Sequence, residues 1–338
     1  TTFASFQRLP NQVGWIGDLL IDEAGQASPH QVISGLQRAR HALMVGDPMQ
    51  LEPIRPVPRP VIRALAKQSN IPPYLAPVDG VSAQTVADGT MHLGAWVKPS
   101  SGAMSRSAVW SGIPLRVHRR CANPMFGLAN AISYDGQMIP ADDPIEKAGS
   151  FSGPGPRSSW YDIRGGKSLG WKQNANQDEI SCLLHLISVI ALETESANSS
   201  SVSSPISLLV TTPFQDCATN AQSAVKDLFL PDALKPKIGT VHSFQGREAD
   251  IVILLLGSRR GSSGQASRKW AGSTPNLLNV AITRARYRLH VIGRHNDWLT
   301  VRNFGRLAAC YQKNDAVRTN WSIPQEGASM EEIRHALG

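Results

Sequence analysis

Apolar runs that end in polar or charged residues recur along this chain, and they predict strands of parallel sheets. Residues 19–21, which we expect to form a fully buried strand, run directly into the carboxylates Asp22 and Glu23. Residues 43–45 run into a glycine and a third carboxylate. Between them, residues 29–40 carry apolar side chains at helical spacing, so the stretch predicts a strand, helix, strand unit. Parallel strands joined in this way open their carboxyl ends on one edge of the sheet. The side chains that we therefore expect in one crevice are Asp22, Glu23, Asp47 and Gln50.

The second half of the chain repeats this alternation and predicts a second parallel sheet. The region in between, residues 53–112, is rich in proline, glycine and serine, so we expect an irregular insertion with one helix at 61–68. The chain is thus expected to be an α/β protein of two parallel-sheet domains, 1–112 and 113–318, with a tail at 319–338. The predicted strands of the second domain are 206–210, 237–241, 251–256 and 289–293, and its predicted helices are 177–193, 215–229 and 276–285.

Composition and charge narrow the class of partner. The chain has 338 residues, of which 41% are hydrophobic and 18% charged, and its formal net charge is +8. A basic protein favours a polyanionic partner, although basicity alone does not separate nucleic acid from an acidic protein surface. No apolar run approaches the roughly 18 residues that a membrane span requires, so we expect no membrane partner. The four cysteines lie far apart and indicate neither a zinc site nor disulfides, so we expect a reducing, cytoplasmic setting.

One triplet resembles the end of a phosphate-binding loop but fails the spacing of that loop. Gly166-Lys167-Ser168 would need a glycine at position 161, which is Tyr161, and no helix is predicted to follow. We reject it as a nucleotide site. The chain begins at Thr1 with neither an initiator methionine nor a signal peptide, so we expect it to be an internal piece of a longer protein.

The carboxylate pair Asp22 and Glu23 is the first candidate for chemistry. A buried strand gains nothing by ending on two unpaired negative charges, so we expect a cation nearby. Hydrated Mg²⁺, bound through one or two carboxylates and the phosphates of a nucleotide, fits that requirement. The neighbouring acid is then available to polarise a water molecule. The alternative is a strand end followed by a helix whose N-cap is acidic.

Basic residues are the second candidate. A cluster within residues 116–120, which includes Arg120, precedes a predicted helix with Asn123 as its N-cap. The planar guanidinium binds phosphate bidentately, whereas the alternative for such a cluster is a solvated surface. Arg284 lies near the end of another predicted helix, where the alternative role is a favourable interaction with the helix dipole.

Five segments, in the same order along the chain, resemble the motifs of superfamily 1 helicases of the 5′ to 3′ branch, the group that includes the nonsense-mediated-decay RNA helicase. Each segment alone is a weak signal, but together they span most of the chain. The Asp-Glu-Ala-Gly-Gln-Ala box is typical of a bacterial set of these helicases. The resemblance implies two RecA-like domains of the P-loop NTPase fold, the first of them incomplete. The matching segments are 22–27 for motif II, 45–53 for motif III, 115–120 for motif IV, 240–250 for motif V and 279–286 for motif VI.

The resemblance implies a monomeric motor that binds ATP and Mg²⁺ and moves along single-stranded DNA or RNA. It implies that Asp22 and Glu23 hold Mg²⁺, that Glu23 orients the attacking water, and that Gln50 links the γ-phosphate to the nucleic acid. No phosphate-binding loop precedes motif II, so residues 1–338 alone are expected not to bind ATP productively. Two alternatives stay open: a non-catalytic truncated paralogue that binds nucleic acid or a partner protein, and an ATPase that remodels nucleoprotein without unwinding.

For the second domain, the resemblance implies two arginine fingers, Arg120 and Arg284, and a nucleotide lining from Gly246 and Glu248. An aromatic residue usually precedes the motif IV arginine, but that position here is Arg119, so the choice between Arg119 and Arg120 stays open. The positions that match nucleic-acid contacts of the family are Thr2, Thr212, Thr240 and His242.

Overall fold

The chain divides into two compact units in the computed structural model, Thr1–Leu115 and Arg116–Gly338. The structure describes residues 2–54, 57–71, 81–97, 108–165, 173–198, 206–226, 228, 230–257, 259–311 and 313–314. The division falls three residues after the predicted domain boundary. The predicted tail at 319–338 lies outside the described residues.

The first unit is built on two parallel strands joined by a helix, as the sequence predicts. β1 (Ile16–Ile21) pairs in parallel with β2 (Ala39–Met44), with Ile21 opposite Met44. The connecting helix α1 (Pro29–Leu36) begins where it does because Ser28 and Gln31 form a capping box and a proline occupies the first turn. A 3₁₀ helix at Phe3–Arg8 precedes these elements.

Only one face of this small sheet is buried. Leu19 and Ile21 pack with Phe6 and other apolar residues of the unit's core. Side chains alternate between the faces of a strand, so Leu20 lies on the opposite face and is 65% exposed. The expectation that residues 19–21 form a fully buried strand is therefore wrong, because the described elements pack on a single side of it.

The region expected to be an irregular insertion holds more structure than predicted. The expected helix is confirmed as α2 (Arg59–Gln68). A second helix, α3 (Ala83–Thr90), is capped by Ser82, and β3 (Ala95–Val97) pairs with β4 (Val109–Ser111) as an antiparallel hairpin. The composition of this region predicts turns, but its capping serine and two tryptophans favour these short elements.

The second unit alternates strands and helices around one parallel sheet. Strands at four of the predicted places are confirmed, and the longest described helix covers the predicted 177–193. Its helices are α4 (Met125–Ser133), α5 (Pro144–Gly149), α6 (Gln177–Asn198), α7 (Gln215–Lys226), α8 (Gly261–Ala271), α9 (Pro275–Ile282), α10 (His295–Leu299) and α11 (Phe304–Cys310). Its strands are β5 (Val117–His118), β6 (Ile139–Pro140), β7 (Ser159–Asp162), β8 (Leu208–Thr212), β9 (Lys237–Thr240), β10 (Ala249–Leu255), β11 (Ala285–Gly293) and β12 (Lys313–Asn314).

The six strands of this sheet lie in the order β12, β7, β11, β10, β8, β9, and every pair is parallel. β10 is buried on both faces from Ile251 to Leu255, as expected for an inner strand of a parallel sheet covered by helices. β5 and β6 form a separate parallel pair. The arrangement confirms the predicted α/β class. No described helix combines the length and the apolarity needed to cross a membrane.

Candidate functional site

The first candidate site is the carboxyl end of β1, where two acidic residues turn the chain. Asp22 is exposed, and its Oδ1 atom accepts a hydrogen bond from the Glu23 backbone N–H at 2.9 Å. Glu23 has a φ of +53°, in the left-handed region that few residues other than glycine adopt. A non-glycine residue held in this conformation is more common at functional sites than elsewhere. The carboxylates therefore lie at the sheet edge, as the sequence predicts.

The loop after β2 packs tightly against this acidic turn. The Val45 N–H donates to the Ile21 carbonyl at 2.8 Å, and the Ala24 N–H donates to the Val45 carbonyl at 2.9 Å. A Cβ atom added at Gly46 would lie 2.6 Å from the Gly25 nitrogen, so only glycine permits this approach. The two segments that resemble motifs II and III thus form one backbone-bonded structure at the sheet edge.

Asp47 and Gln50 are joined within the second of these loops. Asp47 accepts hydrogen bonds from the Met49 backbone N–H at 2.8 Å and from the Gln50 side-chain amide at 3.3 Å. The interaction fixes the direction of the Gln50 side chain, as a residue that contacts a phosphate would require. The structure therefore brings Gln50 into the loop that packs on the acidic turn.

The donor set of this edge suits Mg²⁺ better than a metal with a full protein cage. Asp22, which is exposed, and Glu23, which is half-buried, offer hard carboxylate oxygens at this turn. Among the described residues, no group of three or more histidine, cysteine, aspartate and glutamate side chains could hold a metal ion. Mg²⁺ commonly binds through one or two carboxylates, with waters and substrate phosphates as its other ligands. The residues present fit that mode of binding.

The second candidate site lies in the second unit, where two arginines meet on one carboxylate. Arg120 Nε lies 2.7 Å from Glu248 Oε2, and Arg286 Nε donates to Glu248 Oε1 at 2.8 Å. Arg286 Nη2 also contacts Glu248 Oε1. On its other side, Arg286 Nη1 lies 3.4 Å from Asp250 Oδ1. The cluster joins the segments that resemble motifs IV, V and VI.

The arginines stabilise the charged form of Glu248. Burial alone would raise the pKa of Glu248, but the hydrogen bond from Arg286 and the charges of Arg120 and Arg286 outweigh burial and hold this pKa below its usual value. Glu248 is therefore ionised at neutral pH, and its carboxylate is a strong hydrogen-bond acceptor.

Arg284 does not join this cluster. Its side chain has no exposed surface, and its guanidinium donates to backbone carbonyls of Val280 at 2.9 Å and Arg247 at 2.8 Å, and to the Thr283 hydroxyl at 3.3 Å. In this conformation it stabilises the turn between α9 and β11. The arginine pair that the structure brings together is Arg120 with Arg286, whereas the family resemblance implies Arg120 with Arg284.

Arg286 is the residue that sequence reasoning missed. No signal in the sequence separated it from Arg284, because the predicted helix ran to residue 285 and the predicted strand began at 289, whereas β11 begins at Ala285. Arg284 ends the preceding helical turn, while Arg286 is the first basic residue of the strand.

The residues matched to nucleic-acid contacts have different environments. Thr212 and Thr240 are register partners at the carboxyl ends of β8 and β9. Thr212 is buried and its hydroxyl accepts from the Phe214 N–H at 3.2 Å, whereas Thr240 is half-buried and His242 is exposed. Thr2, in the first unit, is exposed and shares a hydrogen bond with Ser5 at 3.0 Å. Of the three in the second unit, Thr240 and His242 have surface available for a ligand.

Gly246 lies in the turn that leads to the arginine cluster. Its φ of +74° is in the left-handed region, and the residue is exposed. Glycine adopts this conformation without strain, so it can end the 3₁₀ helix at Val241–Phe244 and turn the chain toward Glu248.

An exposed aromatic side chain with basic neighbours lies beyond β10. Trp270, in the last turn of α8, is 53% exposed, and its ring centroid lies 6.1 Å from that of Phe214. Lys269 beside it is exposed, as is Arg260 at the start of the helix. Their pattern in the sequence predicts no role for these basic residues. Aromatic rings beside positive charge are a feature of surfaces that bind single strands.

Comparison with known proteins finds one domain family and helicase relatives. The profile of a family described as "AAA domain" matches residues 104–296. RNA helicase Mov10l1 of Mus musculus is 24% identical over 349 residues, an alignment that covers 95% of this chain and 26% of that protein. The chain thus spans about a quarter of the length of this relative.

Among solved structures, the chain is similar to two viral helicases. The PRRSV helicase has a TM-score of 0.36 and 14% identity, with 82% of this chain and 34% of that chain covered. An Arterivirus nonstructural protein 10 (helicase) in complex with DNA has a TM-score of 0.34 and 16% identity, with 81% of this chain and 39% of that chain covered.

Proposed function

This chain belongs to the superfamily 1 helicases, through the AAA domain family that matches residues 104–296, and we propose that it is part of an ATP-dependent motor that moves along single-stranded DNA or RNA. The observation that carries the proposal is the acidic turn at Asp22 and Glu23, bonded through its backbone to the loop of Asp47 and Gln50. Carboxylates at the carboxyl end of a parallel strand are well placed to act on a bound nucleotide.

In the proposed reaction, the first unit supplies the residues that handle the metal and the water. Asp22 and Glu23 hold Mg²⁺, which when bound neutralises charge on the phosphates of ATP. Glu23 orients the attacking water, and Gln50 senses the γ-phosphate and transmits its presence to the nucleic-acid side. The hydrogen bond between Gln50 and Asp47 supports that role, because it keeps the amide directed within the loop.

The second unit supplies charge to the same reaction. Arg120 stabilises the negative charge of the phosphoryl group in transfer, an effect worth about 10³ to 10⁵ in rate for arginine fingers. Gly246 and Glu248 line the nucleotide. Arg284 keeps the place of a second finger in this proposal only if the buried turn around it opens when ATP binds, since its guanidinium is occupied by backbone carbonyls.

The proposed track is single-stranded nucleic acid bound through its backbone. Thr240 and His242 lie at the carboxyl end of β9 with surface available, and Thr2 offers an exposed hydroxyl from the first unit. Thr212 is buried and its hydroxyl is used within the turn, so its part in the proposed contact is to hold the end of β8 beside Thr240. Backbone contacts of this kind imply little sequence preference and a strong dependence on salt.

We also propose that the motor acts as a monomer in a reducing, cytoplasmic compartment. Three of the cysteines, Cys121, Cys182 and Cys217, are buried and free. Burial raises the pKa of the Cys121 thiol to about 12, and it raises those of the other two as well. Such thiols are unreactive packing residues, and none of them depends on an oxidising environment.

Replacing Glu23 tests the catalytic assignment. In the full-length protein, Glu23→Gln should lower the ATPase kcat at least about a hundredfold while ATP binding changes little, because the amide cannot accept the proton of the attacking water. Steady-state ATPase assays and nucleotide titrations measure the two quantities. Asp18→Asn is the matched control, since Asp18 is an exposed carboxylate on the same strand that pairs with His41 at 3.0 Å.

Full ATPase activity in the Glu23→Gln protein would refute the assignment. An inactive parent protein that still binds a single strand would favour the alternative, a non-catalytic relative that binds nucleic acid or a partner protein. ATP hydrolysis without strand separation would favour an ATPase that remodels nucleoprotein.

A further inference from the structure

We propose that Arg120 and Arg286 form one phosphate-binding pair, and that Glu248 is its internal occupant, displaced when a polyphosphate binds. The proposal rests on the proposed function for the identity of the ligand, the phosphates of a nucleotide. It adds Arg286 to the residues that contact the ligand. It also changes the role of Glu248, which competes with the phosphate for the two arginines and does not itself contact the nucleotide.

The geometry of the cluster is that of an anion site. Each guanidinium approaches a different oxygen of the same carboxylate, Arg120 at Oε2 and Arg286 at Oε1. A guanidinium presents its donors in a planar fork that fits carboxylate and phosphate oxygens equally well. Two forks that converge on one carboxylate are therefore already arranged for a phosphate group.

The cluster borders solvent, so a ligand can reach it. The side chains of Arg120, Arg286 and Glu248 are 33%, 42% and 31% exposed. Arg284, by contrast, has no exposed surface. Exchange of Glu248 for a phosphate requires only that one half-exposed side chain rotate away, while exchange at Arg284 requires a buried turn to open.

Arg286 has a second anchor that would hold it in place after such an exchange. Asp250 Oδ1 lies 3.4 Å from Arg286 Nη1. Asp250 is itself fixed, because its Oδ2 accepts hydrogen bonds from the Ser207 backbone N–H at 2.9 Å and from the Ser207 hydroxyl at 2.6 Å. The guanidinium thus stays oriented when Glu248 leaves, as a preorganised anion site requires.

The local field is positive even while Glu248 is present. His118, two residues before Arg120, has its pKa lowered to about 4 by burial and by the charges of Arg120 and Lys147. Lys147 lies close to the cluster, since its ammonium donates to the Arg119 carbonyl at 2.6 Å. A site with this excess of positive charge favours an incoming polyanion over the single carboxylate.

Binding of tripolyphosphate to this 338-residue chain tests the proposal. By isothermal titration calorimetry at low ionic strength, Glu248→Gln should bind tripolyphosphate about tenfold more tightly, because the competing charge is gone. Arg286→Gln should bind about tenfold more weakly, because one of the two forks is lost. A gain of affinity is informative, since a variant that merely damaged the fold would lose it.

Two surface substitutions serve as matched controls for charge. Asp232 and Lys235 form an ion pair at 2.8 Å with both side chains exposed. Asp232→Asn and Lys235→Gln change the net charge by the same amounts as the two test variants, and each should alter tripolyphosphate affinity by no more than about twofold.

Unchanged or weaker binding by a folded Glu248→Gln chain would overturn the proposal, as would unchanged binding by Arg286→Gln. If the glutamine variant does not fold, Glu248→Asp replaces it: the shorter carboxylate reaches the arginines less well, so affinity should still rise, and a fall would count against the pair. The two proposals can fail separately. If the 338-residue chain passes these tests but the full-length protein hydrolyses no ATP, the proposed motor is refuted and the phosphate-binding pair is retained.

Discussion

Arg284 shows how a charged residue can be entirely built into a turn. Its guanidinium donates to the carbonyl of Val280 in α9, to the carbonyl of Arg247 in the turn before β10, and to the hydroxyl of Thr283 just after α9. Buried carbonyls that lose such a donor keep their desolvation cost without compensation. The residue therefore stabilises the place where the motif V and motif VI segments meet.

Arg284→Ala should consequently lower the free energy of unfolding of the chain by about 3 kcal/mol, from orphaned carbonyls and a cavity. Urea denaturation followed by circular dichroism measures the change. Arg306→Ala is the control, because Arg306 is an exposed arginine with one backbone contact, to the Ala131 carbonyl at 3.1 Å, and it should cost less than about 1 kcal/mol. Unchanged stability, together with lost ATPase activity in the full-length protein, would restore Arg284 as an arginine finger.

For individual residues, the sequence predicted where each lies along a strand or helix, but it did not predict whether the side chain is buried. The places of Asp22 and Glu23 follow from an apolar strand that ends in charge, and the structure has them at that strand's end. Whether Thr212 or Arg284 faces a ligand depends on side-chain direction, which the sequence does not encode at the junction of a turn and a strand. For the same reason Arg286 could not be chosen over Arg284 before the start of β11 was known.

Among the elements, the contact between the two loops of the first unit has the tightest geometric requirement. The loops after β1 and β2 approach so closely that a side chain at Gly46 would meet the backbone nitrogens of Gly25 at 2.6 Å and Ala24 at 3.0 Å. Backbone atoms cannot rotate away as a flexible side chain can. Separation of the loops would move Asp47 and Gln50 relative to the acidic turn.

Gly46→Ala is therefore expected to destabilise the chain by on the order of 2 kcal/mol and to abolish ATPase activity in the full-length protein. Gly17→Ala, in β1, is the matched control: a Cβ there has no heavy atom within 4 Å, so stability and activity should be retained. Thermal unfolding of both variants measures the first effect. If Gly46→Ala were as stable and active as Gly17→Ala, the close packing of the two loops would not matter to the site.

The elements that pattern reasoning missed are those with short or mixed sequences. β7 (Ser159–Asp162) is buried along its length, but it begins and ends with polar residues that find partners only in the folded state. Ser159 donates to the Arg157 carbonyl at 2.9 Å, and Asp162 accepts from the His295 N–H at 2.9 Å. Neither alternation nor an apolar run indicates such a strand, whereas β8 and β10 are apolar enough to be predicted.

In the whole chain, positive charge is the property on which both proposed activities, nucleotide binding and single-strand binding, depend. The chain carries 34 lysine and arginine residues against 26 aspartate and glutamate residues, a net charge of +8. Some of the acidic groups are already neutralised by close partners, as Glu248 is by Arg120 and Arg286. The excess positive charge is then available to attract the phosphates of a nucleotide and of a nucleic-acid backbone.

Binding of a single-stranded oligonucleotide by this chain should therefore weaken steeply with salt, by at least about tenfold between 50 and 200 mM, because each phosphate contact releases a bound counterion. Fluorescence anisotropy across that range gives the slope of log affinity against log salt.

Lys269→Gln should reduce the slope by about 0.7, with Lys235→Gln as a control that leaves it unchanged. Trp270→Ala should lower affinity at every salt concentration without altering the slope, because stacking of a base on an indole involves no counterion. Affinity that is independent of salt would contradict binding through the phosphate backbone altogether. Equal responses to Lys269→Gln and Lys235→Gln would show that the end of α8 takes no part in binding the strand.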